Sequence, residues 1–169
     1  MKKILLKIYH FDNYIGKISL KLASFFLIAI IFMVLWGVFS RIINEPSSWT
    51  NTYSVYGLIA FAYVGAAGAL HKNEHVRVDI LLNKMSKKTQ KIVEIFTYSI
   101  AFIYVLVISI LTFDLAWDSY LSGVTDLTIM RTPMYIPQMT IPIGSILLLL
   151  VIKGKIIENF CSLKGWLKD

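Results

Sequence analysis

Histidines and carboxylates at short spacing are the residues most able to do chemistry here, and they gather in one stretch, HKNEHVRVDILL, residues 71–82. His71 and His75 stand four residues apart, with Glu74 between them and Asp79 beyond. On a helix that spacing puts two imidazoles on one face, the first half of a zinc site. The second half is missing. Glu74 would point to another side of such a helix, Asp79 lies past the turn, and the alternation in HVRV suits an extended chain. A structural joint is the better reading, with His75 and Asp79 fixing a turn through hydrogen bonds and Arg77 facing lipid headgroups. The single Cys161 permits neither an internal disulfide nor a cysteine cluster and reads as an inert thiol. No phosphate loop, nucleophile elbow or dinucleotide fingerprint is present, so no catalytic residue, metal or cofactor is expected in this chain.

The elements that carry this stretch are set by the membrane. The chain has 169 residues, of which 57% are hydrophobic, and the mean hydropathy is +0.67. A bilayer-spanning helix needs about 20 mostly apolar residues. Uncharged stretches of that length run over 22–40, 46–70, 95–113 and 132–152. They predict an all-α integral membrane protein, a single membrane domain over 1–169, with spans at about 22–40, 53–70, 92–113 and 135–152. No small-residue cleavage site follows the first apolar run, so that span is expected to remain as a signal anchor.

Charge sets the orientation. Fifteen of the seventeen Lys and Arg fall in residues 1–21, 71–91 and the tail, and only Arg41 and Arg131 fall in the other two loops. The positive-inside rule then makes both termini and the 71–91 loop cytoplasmic. Trp36, Trp49, Tyr53, Trp117, Tyr120 and Tyr135 cluster around the opposite loops, as interfacial rings do. The net charge of +7 is therefore a topology signal and not a nucleic-acid footprint.

Three amphipathic segments flank the spans. Ile4, Ile8, Phe11, Ile15, Ile18 and Leu22 recur at helical spacing over 1–21; Ile156, Phe160, Leu163 and Leu167 do so in the tail, 153–169; and Val78, Leu81, Leu82 and Met85 do so in the 76–86 loop. Each predicts a basic helix on the inner membrane surface, in contact with lipids, with a docking face for a partner as the alternative for the segments at either end of the chain. Ser86 is a candidate N-cap for the third long helix. In the second span Ala62 and Ala66, and Gly65 and Ala69, offer small-residue faces that let helix backbones approach, either from another subunit or within this chain's own bundle.

Buried ionisable groups mark pumps and relays, and here they are scarce. Glu94 lies near the cytoplasmic start of the third helix beside Lys91, where a carboxylate favours the helix dipole. Asp114 and Asp118 sit at the outer end and read as solvated. A self-contained four-helix exporter needs a carboxylate in its first span, and a redox-complex anchor needs haem-ligating histidines within the spans; the sequence supplies neither.

The layout resembles the small membrane subunit, DctQ-type, of tripartite ATP-independent periplasmic (TRAP) transporters. Arg41 follows the first span and Trp49 precedes the second. FAYVGAAGALHKNEHVRVDILL is similar to the family's Gly-to-Asp element through Gly65, Ala66, Ala67, His75, Val76, Val78 and Asp79. RTPMYIPQMTIPIGS resembles its proline-rich approach to the last span through Pro133, Pro137, Pro142 and Gly144. The chain departs from the family after the Trp, where WTNTYS lacks an acidic residue and Asn51 stands in. The resemblance implies a non-catalytic inner-membrane subunit. Its partners would be a large M-type membrane subunit carrying the substrate and sodium sites and a P-type periplasmic substrate-binding protein. It further implies a scaffolding role beside an elevator-like transport domain. Its substrates would be organic anions such as C4-dicarboxylates or sialic acid, with a lean to sialic acid because short, separately encoded small subunits occur there. Asn51, Asp118, Asp126 and Arg131 on the outer loops are candidate contacts for the periplasmic protein.

Overall fold

The computed structural model describes residues 2–45, 47–72, 86–128 and 130–163. They form four helices: α1 (Lys2–Ile42), α2 (Ser48–His71), α3 (Lys87–Leu121) and α4 (Tyr135–Leu163). All four are long and apolar enough to cross a membrane. Among the described residues there is no strand, only an isolated bridge between Thr125 and Pro133 in the α3–α4 loop. Ser86 caps α3, its side chain accepting from the Thr89 amide at 3.3 Å, which satisfies one of the orphan donors at the helix start.

Helices α1 and α2 are an antiparallel pair, in close contact from the turn, where Gly37 meets Thr50, to the end of α2, where His71 meets Gly16. At the turn, Asn44 takes a left-handed conformation (φ 61°), one that Asn tolerates better than most residues. The Ser47 hydroxyl lies 3.2 Å from Ser40 Oγ and 3.2 Å from Thr50 Oγ1, tying both helices to the turn. At the far end the close approach depends on Gly68: a Cβ there would come within 2.8 Å of Leu20 Cδ2 and 3.1 Å of the Leu20 backbone nitrogen. Small residues thus let two backbones meet where large side chains would hold them apart.

Helix α4 is the hub, packing against α1, α2 and α3, whereas α3 packs chiefly on α4. Ile15 of α1, Ala67 and Leu70 of α2, Tyr98 of α3, and Val151 and Ile152 of α4 form the buried core where all four helices meet. Pro137 lies in the first turn of α4, where its missing N–H is no loss; Pro142 lies within the helix and removes one intrahelical donor. Both are buried.

Two expectations need correction. The segment 1–21 is not a separate surface helix: it continues into the first span as one 41-residue helix, about 60 Å long at 1.5 Å per residue. Of the stripe residues whose burial is described, only Ile15 lies on the packed face. Ile18 and Leu22 are exposed, while Asp12, Ile15, Gly16, Ser19 and Ala23 are buried. Likewise the tail does not begin a new helix after 152, because α4 runs on to Leu163. Gly154, Lys155, Asn159 and Cys161 are buried there. The amphipathic segment expected over 76–86 lies outside the described residues, apart from Ser86.

Candidate functional site

The charged side chains lie toward the two ends of the bundle. At the end carrying His71, Asp12 of α1 is only 3% exposed, and its carboxylate sits over Gly154 of α4, where a Cβ would fall 2.7 Å from Asp12 Cβ. Its one described partner is Lys153, Nζ 3.4 Å from Oδ1. Burial pushes the Asp12 carboxyl above the usual carboxylate range, an effect that Lys153 partly offsets. Lys155 pairs with Glu158 at 3.0 Å. Lys91 of α3 donates to Asn159 Oδ1 at 3.3 Å. His71 closes the corner, its imidazole packed on Gly16, where any side chain would collide with it. Every helix thus contributes a polar group to this junction.

The other end is organised by Tyr56, whose hydroxyl donates to Asp126 Oδ2 at 2.7 Å, pinning the α3–α4 loop to α2. That bond holds the Asp126 carboxyl below its usual range, helped by the Thr128 hydroxyl and amide. The loop closes on itself through Asp126 N to Thr132 O at 2.8 Å and Met134 N to Val124 O at 3.0 Å. Rings of Phe113, Trp117, Tyr120 and Tyr135 run beside it, with Tyr120 and Tyr135 edge-on at 5.2 Å.

The residues singled out in the sequence are scattered over this frame. Arg41 is exposed at the end of α1, and Trp49 and Asn51 are exposed in the first turn of α2. Gly65 faces Ala23 across the α1–α2 contact, and Gly144 packs on Tyr63. Pro133 makes the bridge with Thr125. Asp118 and Arg131 are exposed, Arg131 with φ 46°. Among the described residues, Asp126 is the candidate outer contact whose side chain reaches another element, through Tyr56 of α2. His75, Arg77 and Asp79 lie outside the described residues. Among the described residues no three His, Cys, Asp or Glu side chains could hold a metal ion. The Asp12–Lys153 and Tyr56–Asp126 contacts were not foreseen. Asp12 carried a signal, as the only acidic residue before Glu45; the Tyr56 contact carried none.

These features define a polytopic all-α membrane subunit whose polar groups brace the two ends of a helix bundle. Residues 30–162 match the family of tripartite ATP-independent periplasmic transporters, DctQ component, and the chain belongs to that family. It is therefore a transporter component of the inner membrane that associates with other components of its system, and it is not an enzyme. No curated protein matches the chain.

Proposed function

We propose that the chain is the scaffolding subunit of a sodium-driven, binding-protein-dependent transporter for organic anions. The observation that carries this reading is the composition of the membrane core. Residues 22–40, 46–70, 95–113 and 132–152 contain no Asp, Glu, Lys, Arg or His. An anion crossing the bilayer needs cationic or strongly polar partners at depth, and this chain offers no charged ones. The anion and sodium sites then belong to the large membrane subunit, and this chain needs no cofactor. Its part is to hold the static portion of that subunit in the bilayer while the transport domain moves. Both termini face the cytoplasm, where the basic segments meet anionic headgroups. The outer loop pinned by Tyr56 and Asp126 faces the periplasmic binding protein, with Asn51, Asp118 and Arg131 exposed around it. C4-dicarboxylates and sialic acid are the substrate classes to assay first. The partnership is tested by affinity purification of the tagged chain in mild detergent: a large polytopic subunit is expected in stoichiometric yield. Recovery of the chain as a lone, stable species from cells that express both proteins would contradict it.

A further inference from the structure

Helix α3 has two seams at alternating three- and four-residue spacing, on opposite sides. One includes Tyr98, Phe102 and Val105, which pack into the core with α4. The other, Thr97, Ile100, Tyr104, Val107 and Leu111, is exposed throughout. An apolar outward face on a membrane helix says little, since hydrocarbon covers it at no cost. Tyr104 is different. It is 66% exposed and stands at the midpoint of the uncharged stretch 95–113. Its hydroxyl has no hydrogen-bond partner among the described residues.

A phenol in that position cannot find water. The hydrocarbon half-thickness is about 15 Å, and a tyrosine hydroxyl reaches only about 6–7 Å from its Cα by covalent geometry. An unpaired donor in the hydrocarbon core is unfavourable, and tyrosine ordinarily gathers at the interfaces for that reason. The other strongly exposed tyrosines, Tyr14, Tyr53 and Tyr120, lie toward helix ends. Helix α1 gives the contrast. Its outward residues Phe25, Ile28, Phe32 and Leu35 are 62–71% exposed and carry no polar atom on their side chains, so lipid suffices there.

We infer that the outward seam of α3, centred on Tyr104, seats a transmembrane helix of the large membrane subunit, which presents a hydrogen-bond acceptor to the Tyr104 hydroxyl at mid-membrane. A backbone carbonyl freed by a helix break, or a Ser, Thr, Asn or Gln side chain, has the required chemistry. This rests on the proposed partnership and adds which face makes it. The outward face of α1 is left to lipid.

Three variants of the full complex test the inference. A benzophenone-bearing side chain at Val107 is expected to cross-link to the large subunit on illumination in native membranes, and the same group at Phe32 is expected to give no protein adduct. Tyr104→Phe removes one oxygen from a surface outside this chain's own core, so folding is spared. It should lower retention of the large subunit about three- to tenfold in detergent. If the large subunit co-purifies but Val107 gives no adduct with it, or an adduct only with a second copy of this chain, the inference is overturned while the proposed function stands. Wild-type retention in Tyr104→Phe overturns it equally. Failure of the wild-type chain to retain the large subunit at all overturns the proposed function and this inference together.

Discussion

Asp12 owes its burial to a glycine. Without the space over Gly154, a carboxylate so early in α1 would stay in water; with it, both oxygens are buried and Lys153 is the described counter-charge. A buried pair of this kind is asymmetric, since removing the charge is mild and removing only its partner is costly. Asp12→Asn should therefore leave the melting temperature in detergent nearly unchanged. Lys153→Met should cost about 1–3 kcal/mol at neutral pH, the lower part being favoured because Lys153 is itself half in solvent. The pH dependence follows from the direction of the shift. Burial raises the folded carboxyl above its unfolded value, so protonation favours the folded chain, fully below the usual carboxylate value and progressively less as pH rises through the raised one. The Lys153→Met deficit should accordingly shrink as the pH is lowered from 7 toward 5, read from melting curves in one detergent. A deficit independent of pH, or an Asp12→Asn change as damaging as Lys153→Met, would contradict this account of the pair.

Between elements, the α1–α2 register is fixed by close approaches at small residues. A Cβ on Gly65 would lie 3.7 Å from Ala23 Cβ, within the range of about 3.5–4.5 Å that a disulfide needs. In a Cys161→Ser background, the pair Ala23→Cys and Gly65→Cys should form an intramolecular disulfide on mild oxidation, seen as protection from thiol alkylation by mass spectrometry. Two freely alkylated thiols after oxidation would show that this register is wrong. The four helices were legible in the sequence because length and apolar content suffice to specify a span. Which faces pack was not legible, for a physical reason. In water, apolar periodicity marks the buried face; in a bilayer, large apolar side chains are as comfortable facing lipid, and small residues mark the contact. Ile15 is buried, but Ile18 and Leu22 of the same repeat are exposed while Gly16, Ser19 and Ala23 are buried, so apolar spacing alone does not mark the contact. The same ambiguity hid the continuity of α1. A basic amphipathic repeat reads alike whether its helix lies on the membrane or extends a span.

At the scale of the whole molecule, charge and hydropathy point to one role. The cations crowd toward one side and the membrane core is empty of charge, while the polar side chains that are paired brace the ends of the bundle. The family was legible from a short run of residues, Gly65 to Asp79, together with the prolines at the entry to the last span. The substrate was not, because the uncharged stretches 22–40, 46–70, 95–113 and 132–152 hold no charged side chain that would mark a substrate site. The pairing of Tyr56 with Asp126 escaped notice since no local pattern links a span residue to a loop seventy positions away. A scaffolding subunit moves nothing by itself. The measurement is uptake of a labelled organic anion into proteoliposomes under an inward sodium gradient, with the binding protein supplied outside. The chain alone should give no uptake above empty vesicles, the large subunit alone little, and the two together sodium-dependent uptake. Anion transport by the chain alone, or full transport by the large subunit in its absence, would contradict the scaffold reading.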